Sequence, residues 1–514
     1  MPPANDVHAL AGVGLMTADP VGYRARVTPE KTAIIEIATG RRLSYAELDR
    51  HLERCAGWLS REVSSLDGAR IAALGRNSIA QVVLAMACQR SGAIFVPLNW
   101  RLTGPELAAL VGDCAPAVLF HDAEFAASAA ASGAARREML DLAAFADAEP
   151  LLGVAPSSAP AALLYTSGTT GAPKGVIITR QNAFFAALNF ALVGEIGPAS
   201  VVLADLPLFH TIGLVAVTRT TLTMGGTLVL SDRFLAARSL ACFSDPAVGV
   251  SHYFCVPQMA AALRAEPGYV AGRLAHLHAI FLGGAPPPQA LIEAFLGDGV
   301  ALVNGYGMSE AGTVAHIPID RAAIAAHPSA IGLPAPLLET RIVGLDGIDV
   351  ADGEAGELWI RGPSVTPGYW QRPAETAAAF IDGWLRTGDL VRRAADGFLS
   401  VVDRLKDMYI SGGENVYPAE VEAALLALTG IADAAVVGVP DARWGEVGVA
   451  VIVAPAGQRV TEAEIRAHCT ARLARYKCPA RLVFAESIPR TPAGKVQKHL
   501  LRQTLDLSEP RNIA

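Results

Sequence analysis

Tyr165-Thr-Ser-Gly-Thr-Thr-Gly-Ala-Pro-Lys-Gly175 places hydroxyl side chains, three glycines and one lysine within eleven residues. That composition suits a polyphosphate. Glycines let backbone N–H groups close on an anion, hydroxyls donate further hydrogen bonds, and Lys174 supplies charge. It is not the loop of kinases and GTPases, which needs Gly-Lys-Ser/Thr opening a helix; here Pro173 precedes the lysine and residues 176–179 read as a strand.

Upstream, Ser44-Tyr-Ala-Glu47 and Thr103-Gly-Pro-Glu106 have the spacing of capping boxes, each opening a helix. Short apolar runs at 70–75 and 92–98, bounded by Gly, Asn and Pro, read as strands. Repeated strand–helix units predict a mainly parallel sheet covered on both faces. The alanine-rich stretch 126–135 reads as surface helix or loop without chemistry. Downstream, residues 342–362 change to short strands with turns at Asp346-Gly347 and Asp352-Gly353, a β-rich subdomain. A charged run, 403–407, precedes a Gly-rich segment, and a third capping box, Thr461-Glu-Ala-Glu464, follows. The last hundred residues thus read as a small α/β domain.

With 514 residues the chain exceeds one ordinary core, and two or more domains are expected. A net charge of −7 offers no basic surface for nucleic acid. Apolar stretches such as 201–209 are broken by Asp205 and Pro207 long before a membrane span is complete. Residues 1–14 lack the positive charges of a signal peptide. Seven scattered cysteines with no CxxC pair predict reduced, buried thiols and a cytoplasmic location, with neither disulfide framework nor zinc site.

Eight further segments accompany the 165–175 loop: Pro207-Leu-Phe-His210, Gly283-Gly-Ala285, Asn304-Gly-Tyr-Gly-Met-Ser-Glu310, Gly356-Glu-Leu-Trp-Ile-Arg-Gly362, Trp384-Leu-Arg-Thr-Gly-Asp-Leu390, Asp403-Arg-Leu-Lys406, Ser411-Gly-Gly-Glu-Asn415 and Pro489-Arg-Thr-Pro-Ala-Gly-Lys495. In order and separation they make the chain, from about Thr28 to Lys498, resemble the acyl-adenylate-forming superfamily of acyl-CoA synthetases, peptide-synthetase adenylation domains and luciferases.

The resemblance implies an α/β fold with a large N-terminal domain of α/β subdomains plus the β-rich subdomain (1–402), a hinge (403–407) and a small mobile α/β C-terminal domain (408–514). It implies ATP, Mg²⁺ and coenzyme A as co-reactants of a small carboxylic acid. Thr166, Ser167, Gly168, Thr169, Thr170, Gly171 and Lys174 would hold the phosphates. Gly284, Ala285, Asn304, Gly305, Tyr306, Gly307 and Met308 would enclose adenine and its surroundings. Ser309, where relatives carry Thr or Ser, would reach the α-phosphate. Glu310 would be the Mg²⁺ ligand, since that ion takes oxygen donors and bridges phosphates. Asp389 and Arg404 would bind the ribose. Lys495 would bridge the acid and the α-phosphate as charge builds. Lys406 matches the hinge, and Ser411, Gly412 and Gly413 match the thiol tunnel.

A carboxylate resists thiol attack because it is anionic and lacks a leaving group. The implied chemistry makes an acyl-AMP with release of pyrophosphate, then a thioester. His210 takes the catalytic position beside the acyl pocket that ligases fill with an aromatic or histidine. The aspartate that binds an amino acid's ammonium in other relatives is absent from Phe209-His210-Thr211. A helix would place Thr211, Leu214, Val215 and Thr218 on one face. With Tyr253, Phe254, Val256 and Gly283 this predicts an uncharged pocket for an apolar monocarboxylic acid: medium-chain, branched, alicyclic or aryl. Arg219, aimed inward, would instead allow a dicarboxylate such as malonate. The alternative acceptor is a carrier protein. The segment ending in Gly494-Lys495 resembles the recognition sequence of protein acetyltransferases that silence such synthetases, and a homodimer is compatible with this reading.

Overall fold

The computed structural model describes residues 19–151, 158–166, 173–411, 414–441, 443–455, 460–490 and 496–505. The chain divides into two compact units, residues 1–339 with 360–385 and residues 340–359 with 386–514. Residues 403–407 fall within the second unit.

Two sheets build the first unit. The six-stranded sheet has the order Arg137–Met139, Val118–His121, Arg70–Leu74, Ile94–Leu98, Pro160–Thr166, Lys174–Thr179. All its pairings are parallel except the last, a hairpin that sets Thr166 opposite Lys174. The nine-stranded sheet has a parallel centre. Strand Val201–Ala204 lies between Thr227–Leu230 and His252–Cys255, and the chain leaves it in opposite directions on its two sides. That is a topological switch point, where the carboxyl ends of parallel strands leave a crevice for ligands. Val256, Gly283 and the 205–210 segment follow those carboxyl ends.

All three capping boxes close as the sequence predicts: Glu47, Glu106 and Glu464 accept from the backbone N–H of Ser44, Thr103 and Thr461 at 2.7, 2.7 and 2.8 Å. The alanine-rich stretch is the surface helix and loop it reads as, with two alanines turned inward. Ala126–Ala131 is a short helix, and Ala129 and Ala134 pack into the core beneath the first sheet. The predicted helix after His210 forms with π geometry over Ile212–Arg219; the Thr220 N–H reaches back five residues to Val215. Such helices are rare and concentrate at functional sites.

In the second unit Gly347 and Gly353 take positive φ in the two Asp-Gly turns. Strands Trp384–Arg393 and Leu399–Arg404 pair antiparallel with Asp389 opposite Arg404. A five-stranded sheet follows, with Gly445–Val453 at its centre, Asp433–Asp441 at one edge, and Pro418–Leu426 and Glu462–Arg472 packed on one face. Five of the seven free cysteines are buried. Among the described residues no helix is long and apolar enough to cross a membrane.

Candidate active site

Strands Leu302–Met308 and Gly312–His316 form a hairpin whose three-residue tip is Ser309-Glu310-Ala311. Gly312 makes the turn: its φ is +71°, and a Cβ there would stand 2.7 Å from that of Ala186. The backbone carbonyl of Glu310 accepts from Thr366 N–H at 2.6 Å, and its Oε1 accepts from the Tyr369 hydroxyl at 3.0 Å. Tyr369 lies beside Val176, and its ring centroid is 5.4 Å from Lys174 Nζ. Burial and the Glu310 carboxylate both raise the Tyr369 phenol, so it remains a donor. One tyrosine thus joins Lys174 to the tip carboxylate. The reading of the sequence did not single out Tyr369, and its Gly368-Tyr-Trp370 setting is a weak signal by itself.

Ser309, Glu310 and Tyr306 are half-exposed, and Gly284, with φ +84°, is exposed after its strand. Ala285 follows it, half-exposed. Asn304 is committed elsewhere: its Nδ2 donates to the Ala330 carbonyl at 2.7 Å, within the core. Ser167, Gly168, Thr169, Thr170 and Gly171 lie outside the described residues, as do Gly412, Gly413 and Lys495. Arg490 and Val496, which flank residues 491–495, bridge one another.

His210 stands on a segment held from the first sheet. Buried Asn77 donates to the carbonyls of Leu206 and Ser231 at 2.9 and 3.1 Å and accepts from Leu208 N–H at 3.0 Å. The His210 carbonyl then accepts from Leu214, entering the π-helix. Leu214 and Val215 are buried. Thr211 is also buried, with its hydroxyl unpaired among the described residues.

The pocket wall differs from expectation at one position. Tyr253 is fully buried and its hydroxyl donates to Asp205 at 2.9 Å, beside Ser239. Successive strand residues face opposite ways, so it is Phe254 that covers Gly283; a Cβ on Gly283 would stand 3.0 Å from the Phe254 ring. Ile212 and Val256 complete this wall within 4.0 Å of the Cβ positions of Gly283 and Gly284. The wall is apolar. Arg219 is fully buried and donates to Gln89 Oε1; burial, then Arg180, lowers its pKa to about 10.

In the second unit Arg404 Nε meets Asp389 Oδ1 at 2.9 Å, with Asp389 buried and Arg404 half-exposed. Lys406 sits in the following turn, and burial lowers its pKa. Asp403 accepts from Ala419 N–H at 2.8 Å at the start of the Pro418–Leu426 helix. Ser411 is buried, opposite Glu414 and Gly445.

No group of three or more His, Cys, Asp or Glu is placed to hold a metal among the described residues. Mg²⁺ bound with nucleotide phosphates needs only one or two protein carboxylates, which the half-exposed tip Glu310 fits.

The chain matches the family model described as AMP-binding enzyme over residues 22–370 and that of the AMP-binding enzyme C-terminal domain over 420–495. It is 40% identical over 483 residues to a feruloyl-CoA synthase from an Amycolatopsis species, covering 93% of this chain and 97% of that protein. It is 37% identical over 500 residues to the indoleacetate–CoA ligase of Aromatoleum aromaticum, covering 94% and 97%. The solved structure of o-succinylbenzoate CoA synthetase from Bacillus subtilis, with ATP and magnesium ion, matches with a TM-score of 0.84 at 32% identity, covering 94% of this chain and 99% of that one. The chain belongs to the AMP-binding enzyme family, as an acid–thiol ligase of the AMP-forming acyl-CoA synthetase class.

Proposed function

We propose that this ligase converts an apolar monocarboxylic acid bearing a ring, of the arylpropenoic or arylalkanoic kind, to its acyl-AMP and then to its coenzyme A thioester. The observation that carries this reading is the uncharged wall of Ile212, Phe254 and Val256 over Gly283, on the same unit as the Lys174–Tyr369–Glu310 cluster. A flat ring fits between aromatic and branched side chains at little polar cost. Ferulate and indoleacetate, the acids in the two relatives' names, are both ring-bearing monoacids. Arg219 is engaged by Gln89, which favours a monoacid over malonate.

Lys174 and the 165–175 loop hold the phosphates of ATP, Ser309 reaches the α-phosphate, and Glu310 carries Mg²⁺ when it is bound. Asp389 and Arg404 take the ribose; the paired acceptor and donor suit adjacent hydroxyls. Lys495 serves adenylation, and Lys406 is the hinge through which the 408–514 domain presents the Ser411-Gly412-Gly413 tunnel to the thiol. The family models leave 371–419 between them, which accommodates that hinge.

The test is pyrophosphate release with ATP and coenzyme A over a panel of cinnamic, phenylacetic, indoleacetic, octanoic and malonic acids. Ring-bearing monoacids lead if the reading holds. Malonate leading, or ADP and phosphate as products, would overturn it.

A further inference from the structure

Two rings lie on two glycines at the back of the candidate acyl pocket. Phe281 pairs with Val303 across parallel strands, so Gly283 and Gly305, two residues on, share the face of Phe281. His316 pairs with Gly305 across the hairpin, and its Cδ2 lies 2.8 Å from where a Gly305 Cβ would be. Phe254 covers Gly283 in the same way. The imidazole centroid is 5.3 Å from Phe281 and 6.5 Å from Phe190, and Phe254 is 5.4 Å from Phe190. The result is a packed cluster of three phenylalanines and one histidine.

His316 is out of place in such a cluster. It is 5% exposed, and neither ring nitrogen has a hydrogen-bond partner among the described residues. The Ile317 backbone carbonyl lies near the ring and works weakly against the effect of burial, but it is not placed to accept a well-formed hydrogen bond from either nitrogen. A buried polar group left unpaired is destabilising, and native folds seldom retain one without a use. Burial holds the ring neutral, with a pKa lowered to about 4. It therefore offers one donor and one acceptor, the complement of a hydroxyl. On the hairpin it pairs with Gly305, four residues before Ser309, and so stands roughly 13–14 Å along the strand from the serine proposed to reach the α-phosphate.

We infer that His316 is a specificity-determining residue that hydrogen-bonds a hydroxyl on the ring of the acid, at the end away from its carboxylate. The inference rests on the ring-bearing monoacid reading and refines it: the favoured acid is phenolic. A bare ring leaves the imidazole unpaired in the complex as well, and a site built around such a hydrogen bond rejects the analogue that lacks it.

The experiment compares cinnamate with 2-, 3- and 4-hydroxycinnamate by kcat/KM for pyrophosphate release, in wild type, His316→Phe and His316→Gln. The wild type should favour one hydroxylated acid over cinnamate by about 10–100-fold. That ratio should fall to near one in His316→Phe and survive in part in His316→Gln, which keeps a donor and an acceptor. A ratio within one enzyme is insensitive to how much of the variant is folded, and the wild-type ratio needs no variant. Equal use of all four acids, a preference for cinnamate, or an unchanged ratio in His316→Phe overturns the inference and leaves the monoacid reading standing. Turnover of none of the four also overturns the inference, and the wider acid panel then decides the ring-bearing monoacid reading separately.

Discussion

The hydroxyl of Tyr369 donates to the carboxylate of Glu310 at 3.0 Å while the face of its ring receives the Lys174 ammonium. A carboxylate fixed by a hydrogen bond presents its remaining acceptor capacity in one direction, and the lysine is held on the ring face without neutralising the acid directly. The arrangement keeps opposite charges apart, as the proposed roles require: an anion for Lys174 and a cation for Glu310.

Removing that hydroxyl should loosen metal positioning without abolishing it. Tyr369→Phe is expected to lower acid-dependent pyrophosphate–ATP exchange by about 10-fold, the scale of one hydrogen bond to a charged group. Extra Mg²⁺ should recover part of the loss. Glu310→Ala should lose far more and recover nothing. Exchange measured across a Mg²⁺ series distinguishes them, and an indifferent Tyr369→Phe would show that Glu310 orients itself.

The tip carboxylate was legible because its motif is local: glycines, a tyrosine and a glutamate within seven residues describe a tight hairpin by themselves. Tyr369 was not, because it reaches Glu310 across 59 residues through a bridge to Val176. The capping boxes and parallel strands were equally local. The choice between Tyr253 and Phe254 was not, since His252–Cys255 is buried on both faces and an apolar run carries no alternation to give its phase. His316 belongs to no motif; only the fold lays it on Gly305.

Arg219 separates a structural role from a substrate clamp. Its guanidinium is buried against Gln89 and repelled by Arg180, which lowers its pKa to about 10. Replacing such a charge with an apolar chain of similar length is often neutral, and half-buried Gln89 can turn to water. Arg219→Met should therefore unfold within about 1 kcal/mol of wild type, whereas Arg219→Ala should lose about 2–4 kcal/mol through its cavity. Neither should alter the ratio of apolar monoacid to malonate turnover. Malonate use lost in both variants would make the arginine a carboxylate clamp.

His252 and His316 predict an acid-sensitive fold. Burial lowers both to about 4, with His278 adding to the effect on His252. An unfolded histidine titrates near 6.5. Between these values the unfolded chain binds protons that the native rings refuse. Their stabilisation is thus complete above pH 6.5 and falls as pH drops toward 4, by roughly 3 kcal/mol per ring in full. Melting temperatures at pH 7.5, 6 and 5 should decline in the wild type and decline less steeply in His316→Phe. Identical slopes would mean that the ring is protonated without cost, through a partner or water.

The two half-reactions make opposite demands on the second unit. Adenylation needs a cation at the α-phosphate; thioester formation needs that space for a thiol. If Lys495 supplies the cation, Lys495→Ala should lose acyl-AMP formation by about 10²–10³-fold, the cost of one transition-state donor. It should still make thioester from supplied acyl-AMP. Lys406→Pro should behave in reverse. Lys406 lies in a turn whose following amides, Asp407 and Met408, both donate to the Arg404 carbonyl, while Asp403 is tied to Ala419. Proline fixes φ at 406 and restricts Leu405, so the segment between these anchors loses its freedom to change state. This variant should release pyrophosphate and transfer poorly to coenzyme A. If Gly413 lines the thiol's path as proposed, Gly413→Leu should match it for another reason, by filling that path. Each variant is assayed for both halves separately. If Lys495→Ala and Lys406→Pro lose both halves equally, one static site performs the whole reaction and the hinge is only a linker.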